Sequence, residues 1–176
     1  MTFTLFCFVF LLGVMALRVF AGWRVSATLV EYQRGVLFRR GFPVREVGPG
    51  RYRVWTGIEK IMIVDTRPVQ VSYENQAVVL RDGAAAVYSL LGSARVDDVR
   101  KALYAASNYN HVPVFVLLCC ARLVLNDCTG AQIMASRDAV AEQIINRARP
   151  RLAAAGFELL SFRLTEVSIP QQRIFE

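Results

Sequence analysis

The sequence predicts an α+β domain behind an apolar N-terminal segment, on three observations. Residues from Ala27 to Leu80 are rich in Val, Ile, Tyr, Thr and Phe, with turn signals between short runs. From Asp97 the pattern becomes helical, and "FELLSFRLTEVSIP" alternates as a closing strand after Gly156. A chain of 176 residues that is 55% hydrophobic and 20% charged can bury a core, in one domain or two small ones. The expected organisation is a membrane anchor over 1–24 and a folded domain over 25–170, with a short tail over 171–176. Within the domain, 26–96 is strand-rich, 97–155 helical and 156–169 the final strand.

Residues 1–17 carry no charged side chain, which is the low end of what a helix needs to cross the hydrocarbon layer. If Arg18 snorkels, the apolar stretch extends through Val19, Phe20 and Ala21 to Trp23, an aromatic suited to the interface. A secretory signal cleaved after Ala21 is the rival reading, but no Lys or Arg precedes the run. A shallow embedded hairpin is the other alternative; we expect a retained anchor.

The net charge of +7 is concentrated, because residues 18–53 hold eight Arg against two Glu. Basic residues beside a membrane segment tend to stay on the cytoplasmic side, so the bulk of the chain is expected at the cytoplasmic face of a membrane. Anionic headgroups are the expected lipid partner, at roughly 1 kcal/mol per basic residue near the surface. The residues singled out for that surface are Arg18, Trp23, Arg24, Arg39 and Arg40. Nucleic acid is not expected as a partner, since lipid is the nearer polyanion. Gly48-Pro49-Gly50 reads as a turn and not a phosphate loop, because no GKS/T follows.

Taken in order, "ATLVEY" and "GVLFRR" read as strands broken near Gln33-Arg34, "GFPVREVGPG" as a turn-rich connection, and "RYRVW" as the returning strand. Two or three strands follow in "IEKIMIVDTRPVQVSYENQAVVLRDG", Pro68 confining its strand to an edge or bulge. "AAAVYSLLGSARV" is expected to be a weak, frayed strand, because alanines and Gly92 dilute its β-propensity.

"DDVRKALYAAS" has the composition of a short helix capped by Asp97 or Asp98. The next helix starts near Asn110 or His111 with Pro113 in its first turn. Val112 to Leu125 holds a single charge, Arg122, and at about 14 residues is too short to span a bilayer. It reads as a core helix or, with one face left over, as a subunit or partner contact through Val114, Phe115, Leu118 and Arg122. Thr129-Gly130 is expected to break the chain. After Ser136 as N-cap, a long amphipathic helix buries Val140, Ile144, Ala148 and Leu152, with a kink or restart at Pro150.

No catalytic, cofactor-binding or metal set converges. Cys7, Cys119, Cys120 and Cys128 lack CxxC spacing, and His111 is the only histidine. Reduced thiols packed as small buried hydrophobes are expected. A cysteine hydrolase pairing one of these thiols with His111 is a distant alternative, since Cys119 stands roughly 12 Å along the helix axis from His111.

In their order, the strings "EYQRGVLFRRG", "GPGRY", "IVDTRPVQVSY", "VVLRDG", "ARVDD", "ARLVLND", "SRDAVAEQI" and "GFELLSFRLTEVSIP" resemble the stomatin, prohibitin and flotillin superfamily (SPFH, band 7). The likeness runs over about residues 26 to 170 and is nearest to the prokaryotic stomatin-like proteins, or slipins. It implies a membrane-attached domain that assembles into rings or cages, organises a membrane microdomain and often restrains a membrane protease. It brings no catalytic residues and no cofactor. The family usually continues past "IP" with a long Ala/Glu-rich helix that drives assembly. Here the sequence stops six residues later, at "QQRIFE", so a short member or a piece of a longer protein is expected. The functional expectation is a non-enzymatic scaffold that forms homo-oligomers, with a regulatory subunit of a membrane protease as the alternative.

Overall fold

The computed structural model describes residues 24–168, together with Gly13 and Met15. The expected anchor, Gly13, Met15 and Arg24 apart, and the expected tail lie outside the described residues. The chain divides into two compact units, Met1–Asp65 and Thr66–Glu176.

The first unit is all β. β1 (Arg24–Leu29) pairs antiparallel with β4 (Gly50–Trp55), and β2 (Gln33–Arg39) lies between β3 (Phe42–Val47) and β5 (Glu59–Asp65). Leu29, Leu37 and Val47 form its core, with Tyr52, Val54 and Ile61 packed against them. The segment "GFPVREV", expected as an irregular connection, is the edge strand β3. Arg40 (φ 51°) and Gly41 (φ 86°) make a two-residue hairpin turn whose positive dihedrals match the twist of the flanking strands. Pro43 sits beside a register shift at Leu37/Phe38, where an edge strand tolerates a missing donor. At the other end the Tyr52 hydroxyl donates to the Gly48 carbonyl at 3.0 Å, bracing the reversal around Pro49.

The second unit is a three-stranded antiparallel sheet, β6 (Val69–Val79), β7 (Ala85–Val96) and β8 (Phe157–Ser168), with β7 in the middle. Pro68 lies just before β6, an edge strand that carries a bulge between Tyr73 and Gln76. There Asn75, at φ 54°, donates its N–H to the hydroxyl of buried Ser89 at 3.3 Å.

β7 is therefore the best-anchored strand and not a frayed one. Ala86, Tyr88, Leu90, Gly92, Ala94 and Val96 alternate onto one face, and all six are buried. Its small residues make room for neighbours. A Cβ on Gly92 would stand 3.4 Å from Leu117 Cδ1 and 3.1 Å from the Ser161 carbonyl. Propensity undervalued the strand because low side-chain bulk here serves packing.

α1 (Val99–Ala105) is capped by Asp98, whose carboxylate accepts the Lys101 N–H at 3.0 Å. α2 (Val112–Asp127) begins after a 3₁₀ turn, with Pro113 in its first turn. The helix is interrupted at Cys128-Thr129, close to the expected Thr129-Gly130, but Gly130 already belongs to a further short helix. Thr129 and Gln132 form a reciprocal capping box that starts α3 (Gly130–Ala135), and Asp82 in the β6–β7 turn accepts the Gly130 N–H at 2.9 Å. α4 (Arg137–Ala154) buries Val140, Ile144, Ala148 and Leu152 as its pattern predicts. It runs through Pro150 without the expected restart. Asn146 and Pro150 are both exposed, so the carbonyl freed by the missing donor faces water while the buried stripe holds the turns together.

Candidate functional site: a basic and apolar end of the first unit

Five chain segments converge at one end of the first unit. Arg24 opens β1 opposite Trp55, and Arg39 closes β2 opposite Glu59 on β5 and Phe42 on β3. The Arg40 N–H donates to the Ile58 carbonyl at 2.8 Å, so the hairpin tips 40–41 and 56–58 are stitched together. The end thus presents Arg24, Arg39, Arg40 and Lys60 with exposed Val25, Ile58 and Phe42, the last 75% exposed.

A polar clip holds these groups. Glu59 Oε1 accepts from Arg39 Nη2 at 2.7 Å and from Nε at 3.0 Å, while Oε2 accepts the Trp55 N–H at 3.2 Å. The Arg24 guanidinium stacks over the Trp55 ring at 4.1 Å. The Glu59 side chain is only 7% exposed, and the Arg39 hydrogen bonds, then the Trp55 N–H, hold its pKa below the ordinary 4.5. A lowered carboxylate pKa stabilises the fold above the unfolded value and loses that contribution as pH falls through the folded one. We expect the Glu59 carboxyl resonance to titrate below 4.5, with the Arg39 Nε signal moving at the same midpoint. A midpoint at or above 4.5 would show that the clip is open in solution.

Of the surface set expected from sequence, Arg24, Arg39 and Arg40 come together here, whereas Arg18 and Trp23 lie outside the described residues. Val25, Phe42, Ile58 and Lys60 were missed. For Phe42 the signal was present in "FRRGFPV", a two-residue turn followed by an aromatic, once it is read as a hairpin tip; Val25, Ile58 and Lys60 join it only through the strand pairing. The remaining arginines are not all at this end. Arg51 pairs opposite Thr28, four residues from the Arg24–Trp55 pair, or about 13 Å along the strand.

In the second unit the expected contact residues lie on α2. Phe115 is 70% exposed and Arg122 exposed, while Val114 and Leu118 are half-buried. The opposite face, with Leu117, Cys120, Ala121, Val124 and Leu125, is buried. Burial raises the pKa of the Tyr88 phenol, and the positive charge of Arg122 only partly offsets it. With its leading 3₁₀ turn the helix spans Tyr109–Asp127, 19 residues, longer than the sequence suggested and by length and composition enough to cross a membrane. Its polar partners belong to α4: Arg151 donates to Cys120 Sγ at 3.5 Å, and Arg147 pairs with Asp127 at 3.4 Å. α2 is accordingly a core helix with one uncovered face.

The cysteines differ from the expectation of uniform burial. Cys120 and Cys128 are buried, and burial pushes the Cys128 thiol up, but Cys119 points outward and is exposed. In the folded chain Cys119 should react with a maleimide at least tenfold faster than Cys120 or Cys128, read by peptide mass after timed quenching. Equal rates would contradict this packing.

Residues 27–175 match the sequence pattern of the SPFH domain / Band 7 family. The chain belongs to that family. An uncharacterized protein of Archaeoglobus fulgidus is 23% identical over 142 residues, 81% of this chain and 57% of its own length. Stomatin homologues of Pyrococcus horikoshii and Pyrococcus abyssi are each 24% identical over 140 residues, 80% of this chain and 53% and 52% of theirs. The chain thus spans little more than half the length of the relatives it matches. SPFH proteins are typically membrane-associated and generally act as non-enzymatic scaffolds. In this SPFH chain, His111 and Cys119 are both exposed and two helical turns apart, which gives the thiol no adjacent base.

Proposed function

We propose that this protein is a non-enzymatic membrane scaffold that forms homo-oligomers and organises a membrane microdomain or a membrane-protein partner from the cytoplasmic side. One observation carries the reading. The basic and apolar groups of the first unit gather where β1 begins, the point at which the chain arrives from its charge-free N-terminal run. Cations beside exposed Val25, Ile58 and Phe42 suit an interface of anionic headgroups over acyl chains.

The native mass of the detergent-solubilised chain, by light scattering with the detergent contribution subtracted, tests the scaffold. A discrete oligomer larger than a dimer is expected; a monomer would overturn it. The uncovered face of α2 favours a second reading, a regulatory subunit bound to a membrane protease. Phe115→Asp separates the two: assembly through this face loses the oligomer, whereas an adaptor keeps its mass and loses only the partner.

A further inference from the structure

The end of the first unit also carries an open trough of about 730 Å³, within the usual range for small-molecule sites. Val25, Phe38, Val54, Ile58, Ile61 and Ile63 line it with apolar surface, and Arg40 and Lys60 stand on its wall. Glu59 is the single acidic residue of the lining, and Arg39 already matches its charge at 2.7 Å. Among the described residues neither Arg40 nor Lys60 forms an ion pair. The trough therefore offers a long apolar surface and two uncommitted cations, which is complementary to an amphiphile with a negative head.

The geometry points to a bound anionic phospholipid, one acyl chain lying along the trough and its phosphate held by Arg40 and Lys60. This rests on the reading that this end of the unit meets the membrane. An open trough leaves one side of the chain uncovered, which is costly in water and nearly free where that side faces other lipid. A phospholipid of the adjacent leaflet therefore fits better than a free fatty acid, for which a closed cavity would be the better host. Each methylene drawn out of water tightens binding by about fourfold, so even a partly covered chain selects strongly for length.

The test reconstitutes the full chain into vesicles containing phosphatidylglycerol or phosphatidylcholine with a diazirine on one acyl chain, and maps the photolabelled peptides. We expect label within residues 25–63, about tenfold more from the glycerol than from the choline headgroup. Arg40→Asn with Lys60→Gln should abolish that preference, lowering the glycerol label far more than the choline label, because choline's own ammonium already offsets its phosphate. Asn is chosen at Arg40 because it tolerates the left-handed backbone there. A fluorophore at Val44→Cys, outside the trough, with Cys7 and Cys119 changed to Ser, reports docking in the same vesicles. Docking without label in 25–63 would overturn the trough and spare the membrane reading; no docking would overturn both. Equal labelling by the two headgroups, or displacement by stoichiometric palmitate, would also overturn the proposal.

Discussion

Gly156→Ala is expected to destabilise the second unit by about 3–5 kcal/mol, a large part of the stability of a domain this size. Gly156 ends α4 at φ 82° and sits against α1. An added Cβ would lie 2.5 Å from the Asp98 carbonyl oxygen, 2.8 Å from the Ala102 nitrogen and 2.8 Å from the Lys101 Cβ. Backbone atoms cannot swing aside as a long side chain can, so α1 would have to move as a body. That movement would break further bonds, since the Gly156 carbonyl accepts the N–H groups of Asp97 at 2.9 Å and Asp98 at 3.1 Å. Gly83→Ala isolates the conformational part. Gly83 has φ 80° but nothing within 4 Å of an added Cβ, so its cost should stay near 1 kcal/mol. Thermal unfolding followed by circular dichroism should show a drop of about 10 °C or more for Gly156→Ala and a few degrees for Gly83→Ala. Equal shifts would mean that α1 is not held against the glycine.

Elements stated by a single local signal were readable from sequence. The Val140, Ile144, Ala148 and Leu152 stripe and the Asp98 cap appear in the structure as their patterns predict, and β8 forms as expected, though its alternation slips at two register shifts against β7. The misread elements depend on groups distant in sequence. β7 looked weak because its alanines and Gly92 become useful only when Leu117 and β8 are set against them. The break near Thr129 is present, but the short helix α3 behind it went unread because its start is supported by Asp82, 48 residues earlier in the chain. Pro150 suggested a kink or restart, and the helix is not interrupted there: the buried residues on either side of it belong to one helix.

The candidate site divides in the same way. Composition placed the arginines in one region, but it could not separate Arg39, matched by Glu59, from Arg40, whose charge is uncommitted. That distinction requires the β2–β5 register, in which Arg39 faces Glu59. Nor could it add Phe42, which becomes prominent only because the turn at Arg40-Gly41 exposes it at a hairpin tip.

Docking of this end on an anionic bilayer should weaken by about two orders of magnitude in Arg40→Asn with Phe42→Ala. A basic residue near the surface contributes roughly 1 kcal/mol and a buried phenylalanine about 2 kcal/mol, and 1.4 kcal/mol is tenfold. Membrane binding of the whole chain is too coarse a readout, because an anchor in the charge-free N-terminal run, as the sequence leads one to expect, would contribute binding of its own. The Val44 fluorophore gives a local one. Its emission should shift to the blue in anionic vesicles, less so as salt is raised, and the shift should vanish in the double variant. Arg39→Gln with Glu59→Gln provides the comparison: it removes one positive and one negative charge, so the net charge of the end is unchanged and the shift should persist. If the two pairs of substitutions weakened the shift equally, the fold at this end, and not its free charge and exposed aromatic ring, would be what the membrane recognises.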